Sequence, residues 1–226
     1  MEKRAWRAVL FDFDGVICQT EVYRIDRREA MLTRYGVRFD RKALYAMAGG
    51  PSTPGIPYSR RMDELFGDQP AYREHREELS VFLRLDCSYR DLLTPGLPQV
   101  LEDLHRAGLL LGVASNSSLE TLEAALAECA VRDCFDTVVS GWNLNRRKPD
   151  PYIYELAMKD LGVEPGECVI VEDSPVGIRA GKAAGTTVFA LRDRDGMLDQ
   201  GESDFIMSEI TELPGLLGLI DHKHLG

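Results

Sequence analysis

Five short apolar runs set the frame of the chain: the early segment that reads VLFDFDG (9–15), then LLLGVAS (109–115), DTVVSG (136–141), ECVIVED (167–173) and TTVFAL (186–191). Each run is continuous rather than alternating, which is the pattern of strands covered on both faces. Helical patterns lie between them: LPQVLEDLHRAG (97–108), SLETLEAALAECA (118–130) and DPYIYELAMKDLG (150–162). A further helix follows VED, with Pro175 near its first turn and Gly185 beyond its end, the usual asymmetry of helix caps. Strand and helix alternating in this way predict right-handed crossovers, and hence an α/β fold with a Rossmann-like parallel sheet between helices.

The rhythm breaks between residues 19 and 93. EVYRIDRREAMLTRYG, RKALYAMAGG and AYREHREELSVFLRL are all helical in pattern, and no convincing strand falls among them. The segment is expected to be a helical insert, with 1–18 and 94–226 forming the core. GGPSTPGIP (49–57) reads as a loop within the insert, because its prolines and glycines cannot continue a helix. Charge supports two regions: 18–93 carries 13 Lys and Arg against 12 Asp and Glu, and the rest of the chain 14 against 25.

In an open parallel sheet the working crevice lies beyond the carboxyl ends of the strands. The first run delivers Asp12 and Asp14 there, on one side of the strand with Phe13 opposite. The second delivers Ser115 and Asn116, and the fourth Glu172 and Asp173. The third leads into a loop ending in RRKPDP, which carries Lys148. Taken singly, each is unremarkable: aspartates populate turns, a lone serine caps a helix, and a lone lysine is a solvated charge. Their appearance in order, each at the end of a run, is not. One lysine facing up to four carboxylates leaves surplus negative charge, which a hard divalent cation such as Mg²⁺ would resolve.

DFDGVICQTE, VASNS, RKPDP and VIVEDSPVGIRAGKAAG together resemble the four motifs of the haloacid dehalogenase superfamily. More narrowly, the chain is similar to the β-phosphoglucomutase-like phosphatases and mutases, which carry a helical cap after the first motif. The resemblance spans Asp12 to Gly185. It implies that Asp12 attacks phosphorus and that Asp14 protonates the leaving oxygen and then activates water. It implies further that Ser115 binds a phosphoryl oxygen and Lys148 holds nucleophile and phosphate together. Mg²⁺ would be held by Asp12, the main-chain carbonyl of Asp14, Asp173 and Glu172, and Gly15 would permit the turn after the nucleophile.

Asp14 favours phosphate esters over carbon–halogen bonds, since only an alkoxide leaving group needs a proton. Where mutases of this group carry a cap histidine, ten residues past the second aspartate, this chain has Arg24, which favours a phosphatase. Gln19 replaces the group's usual acid before Thr20. The cap is expected to set the substrate by closing over the site, with Arg24, Arg60 and Arg61 as candidates for binding it and Asn116 beside the phosphate. The expected substrate is a small phosphorylated sugar or polyol. A phosphomutase is the alternative within the group, and a non-catalytic phosphate-binding or regulatory protein the alternative outside it.

A net charge of −10 argues against nucleic acid as a partner. No stretch reaches membrane-spanning length, and the apolar run that ends at Asp12 is too short for a signal peptide. Five cysteines without a Cys-x-x-Cys pair point to reduced thiols and the cytoplasm. A monomer is what the resemblance implies.

Overall fold

The computed structural model describes residues 6–45, 58–81 and 87–219. GGPSTPGIP therefore lies outside the described residues. In chain order the elements begin with β1 (Ala8–Phe11), α1 (Thr20–Arg34), α2 (Arg41–Tyr45), α3 (Tyr58–Phe66), α4 (Pro70–Glu74) and α5 (Arg76–Val81). They continue with α6 (Leu97–Arg106), β2 (Leu110–Ser115), α7 (Leu119–Glu128), β3 (Thr137–Ser140) and α8 (Tyr152–Leu161). The chain closes with β4 (Cys168–Glu172), α9 (Pro175–Ala183), β5 (Thr187–Leu191), β6 (Phe205–Met207) and α10 (Leu213–Leu216). Among the described residues no helix is long and apolar enough to cross a membrane.

The chain divides into two compact units, one built from the segments up to Gln19 and from Tyr89 onward, the other from Thr20–Ser88. Residues 89–93, expected in the insert, belong with the first unit, and hydrogen bonding explains why. Gln19 N donates to Leu92 O at 2.7 Å and Thr94 N to Ile17 O at 2.9 Å. Cys18 and Leu93 form an antiparallel bridge between them. The outgoing and returning strands of the chain are thus stapled side by side within the first unit.

That unit is a six-stranded sheet in the order β3-β2-β1-β4-β5-β6, and every pairing is parallel. The order reverses between β1 and β4, which places the crevice of a doubly wound sheet there. Phe11 lies level with Val113 of β2 on one side and Val171 of β4 on the other. The residues just past these positions therefore emerge together. Unbroken apolar strands bury both faces: Val9 and Phe11 join one core layer with Leu101 and Leu122, while Ala8 and Leu10 join the other with Tyr154 and Ile178.

Three expectations are adjusted. β3 is half-buried rather than covered, because it is an edge strand. The 71–85 pattern is not one helix, since His75, at φ −113° and ψ 22°, separates α4 from α5. The sheet also gains β6, whose three residues are too few to show any period.

Candidate active site

β1 ends at Phe11, and the next residue, Asp12, is anchored by its main-chain N–H to Val171 O of β4 at 2.9 Å. The chain then turns sharply at Gly15, whose φ is +88°, a conformation that favours glycine. A side chain there is also barred by packing, because a Cβ would collide with the carboxylate of Asp173. Gln19 Nε2 ties the turn by donating to Gly15 O at 3.1 Å and Thr94 Oγ1 at 2.9 Å. The amide thus does at this position what a carboxylate could not, since Gly15 O is an acceptor and the Thr94 hydroxyl, which spends its proton on Val16 O, can only accept.

Lys148 joins the strand ends. It is almost fully buried, and its Nζ donates to Asp12 Oδ1 at 2.6 Å and to Glu172 Oε1 at 2.7 Å. The aromatic ring of Tyr154 lies under the ammonium, 4.7 Å from Nζ to centroid, and its hydroxyl donates to Glu172 Oε1 at 2.8 Å. The other oxygen of Glu172 accepts the main-chain N–H groups of Asp173 and Ser174 and the hydroxyl of Ser174, all at 3.0–3.1 Å. Gly177 in the first turn of α9 leaves room for this carboxylate, which a Cβ would strike. Ser174 caps the same helix by accepting from Gly177 N at 3.1 Å.

Asp12, Glu172 and Asp173 bring ligand oxygens within 4.8 Å of one another, all buried. Burial drives the Asp12 carboxyl up to a pKa of about 8; Glu172 and Asp14 add to the shift and Lys148 opposes it. Burial works the same way on Glu172, but Lys148, Tyr154 and the turn amides outweigh it and hold that carboxyl below its usual range. Lys148 stays charged, because Asp12 and Glu172 overcome its own desolvation. Three buried carboxylates around one ammonium form an all-oxygen donor set with unbalanced charge, and a divalent cation fits it.

Asp14 has a different partner from Asp12: its Oδ2 accepts the Ser117 hydroxyl at 2.7 Å. Ser115, the last residue of β2, is buried and its Oγ accepts Ser117 N at 3.2 Å. Asn116 packs its side-chain oxygen against Gly141, where it is buried with no hydrogen-bond partner among the described residues. Arg24 and Arg60 belong to the helical unit. There Arg24 pairs with Glu21 at 2.7 Å on α1, and the exposed Arg60 with Glu64 at 3.3 Å on α3.

The structure adds Ser117, Tyr154 and Ser174 to the residues singled out from the sequence, and Gln200, whose Nε2 donates to Asp173 O at 2.6 Å. The run SNSS could have pointed to Ser117, and Pro175 to the cap at Ser174. No local signal marks the other two.

The family model for haloacid dehalogenase-like hydrolases matches residues 6–185. The chain belongs to that family. Protein CbbY of Cereibacter sphaeroides is 30% identical to this hydrolase over 227 residues, which cover 94% of the chain and 96% of the relative. The fructose-1-phosphate phosphatase YqaB of Escherichia coli is 30% identical over 188 residues, 83% of the chain and 97% of the relative. Among solved structures, CbbY from Rhodobacter sphaeroides in complex with phosphate superposes with a TM-score of 0.65 at 26% identity, covering 95% of this chain and 99% of that one.

Proposed function

We propose that this hydrolase is a magnesium-dependent phosphatase of small phosphorylated sugars or polyols that works through an aspartyl phosphate at Asp12. The observation that carries the reading is the pairing of Lys148 with Asp12 while Asp14, two residues on, is held apart by Ser117. One carboxylate is set against an ammonium as a nucleophile would be, and the other is left to handle a proton. YqaB, a relative named for a sugar phosphate, supports the substrate class.

In this reading Asp12 attacks phosphorus, and the bond from phosphorus to the ester oxygen breaks as Asp14 gives that oxygen its proton. Lys148 remains between Asp12 and the phosphoryl group and offsets the charge that develops there. Ser115 and the amides at the start of α7 receive the phosphoryl oxygens. Water then attacks phosphorus, Asp14, now ionised, takes its proton, and the bond from phosphorus to the Asp12 oxygen breaks, releasing phosphate and the Asp12 carboxylate. Asp12, Asp173 and the carbonyl of Asp14 would hold Mg²⁺, which when bound neutralises the surplus carboxylate charge and draws electron density from the phosphate. Glu172, whose oxygens already accept five donors, anchors Lys148 and is the third carboxylate of the set that would surround the cation. The same reading places the enzyme in the cytoplasm as a monomer.

The test is phosphate release from p-nitrophenyl phosphate, followed by a panel of sugar and polyol phosphates, with Mg²⁺, with Ca²⁺ and with excess chelator. Turnover is expected with Mg²⁺ alone and none with Asp12→Asn. Absence of turnover on every ester would favour a non-catalytic phosphate-binding protein. Rapid interconversion of β-glucose 1-phosphate and glucose 6-phosphate with scant free phosphate would favour a mutase.

A further inference from the structure

Beyond the last motif, the chain from 192 to 204 forms an irregular loop between β5 and β6, past the end of the family match at 185. The loop is built to a fixed shape. Asp193, buried, accepts the main-chain N–H of Met197 at 2.8 Å and of Leu198 at 3.1 Å. Ser203 Oγ donates to Gln200 O at 2.7 Å. The product of this bracing is the placement of one side chain, Gln200, which is 5% exposed. Its Nε2 donates to Asp173 O at 2.6 Å and to Leu191 O at 2.8 Å.

Those two carbonyls come from neighbouring places in the sheet. The ladder between β4 and β5 ends at the Glu172–Ala190 pair, and Asp173 and Leu191 are the residues immediately beyond. Their carbonyls would diverge where the strands part, and a buried carbonyl without a donor is costly. The primary amide of Gln200, with two N–H groups, supplies both. Asp173 is thereby held on each side of its Cα: its N–H to Glu172 Oε2 at 3.0 Å, its C=O by Gln200. A residue fixed at both peptide groups has little freedom in where it aims its side chain. The Asp173 carboxylate is aimed at Gly15, close enough that no Cβ fits between them.

We propose that Gln200 is a positioning residue for the cation-holding carboxylate of Asp173, acting through the Asp173 main chain. The proposal rests on the assignment of Mg²⁺ to Asp12, Asp14 and Asp173 above. Outer partners that orient a metal ligand are worth 10–100-fold in affinity or activity in general, and Gln200 is expected at the lower end because it grips the main chain and not the carboxylate.

The experiment titrates Mg²⁺ into the metal-free protein by calorimetry and follows the Mg²⁺-induced rise in Tm, so no turnover is needed. Wild type is compared with Gln200→Met, which keeps the length and removes the donor, and with Asp173→Asn. Gln200→Met is expected to weaken Mg²⁺ binding about tenfold and to shrink the Mg²⁺-induced rise in Tm accordingly. Gln200→Asn, which withdraws the amide by one methylene, should weaken binding in the same direction and serves if the Met variant does not fold. A Gln200→Met protein with a lower metal-free Tm but unchanged Mg²⁺ affinity would show a purely structural role and overturn the proposal. If Asp173→Asn itself binds Mg²⁺ as wild type does, the cation assignment falls, and the proposal with it.

Discussion

The metal-free site should make the protein less stable as pH rises, and Asp12→Asn should remove that dependence. In the folded chain the Asp12 carboxyl is lifted to about 8, by burial first and then by Glu172 and Asp14, against the pull of Lys148. In the unfolded chain it titrates near ~3.9. Between those values the folded protein keeps a proton that the unfolded chain has released. The stabilisation is therefore complete below about pH 4 and is lost as pH climbs through the folded value. Glu172 is shifted in the opposite direction, and its contribution fades only in acid, below about pH 4.5, outside the useful window. A full proton of linkage is worth about 1.4 kcal/mol per pH unit, so the upper bound between about pH 5 and about pH 7.5 is ~3 kcal/mol. For a chain of this size that corresponds to a fall of about 6–12 °C in Tm. The assay is urea or thermal unfolding in excess chelator across this range, wild type beside Asp12→Asn. The gap between the two curves should be smallest near pH ~5 and widen above it, with the variant the more stable. Saturating Mg²⁺ favours the ionised carboxylate and should flatten the wild-type curve. Parallel curves, or a wild type that gains stability with pH, would refute the assignment of the buried proton to Asp12.

Asp14→Asn keeps the main-chain carbonyl but can neither give nor take a proton, so an aryl phosphate should yield a burst near one equivalent of aryl alcohol and a trapped phosphoenzyme. Steady turnover by this variant, or a burst from Asp12→Asn, would reverse the two roles. Ser117→Ala releases Asp14 and should lower kcat on alkyl phosphates more than on aryl phosphates, whose leaving group needs no proton; equal losses would show that Ser117 acts elsewhere. Gly177→Ala drives a methyl into the Glu172 carboxylate and should cost about 1–3 kcal/mol in chemical unfolding, with activity falling as Lys148 loses its anchor. Unchanged stability would mean that the turn at 172–177 is looser than its hydrogen bonds imply.

The residues that line the strand ends were legible because their placement is local. An unbroken apolar run fixes where a buried strand stops, and Asp12, Ser115, Glu172 and Asp173 follow directly from where three such runs stop. Lys148 was legible through its loop. The partners that hold these groups were not, since each contact joins residues far apart along the chain. Tyr154 reads as one apolar residue in the periodic face of α8 until β4 brings Glu172 to its hydroxyl. Gln200 sits in a stretch with neither period nor motif, and its meaning depends on two carbonyls contributed by β4 and β5. β6 escaped for a simpler reason: Phe205 and Ile206 are exposed at an edge, so no buried pattern forms. The insert was legible as helices by its patterns, but not the break at His75, where neither proline nor glycine marks the stop.

The staple formed by Cys18 with Leu93, Gln19 with Leu92 and Ile17 with Thr94 has a consequence for how such a chain can change over time. The sheet unit holds the two ends of the intervening segment side by side with its own main-chain hydrogen bonds. It therefore experiences that segment as a loop, whatever its contents. The entropy of closing a loop grows only logarithmically, about 0.6 kcal/mol for each doubling of length. A core fastened in this way can take a longer, shorter or wholly different segment between Gln19 and Tyr89 at little thermodynamic cost, while the spacing of its strand-end acids is left untouched. Selection can then vary that segment without disturbing the strand-end acids.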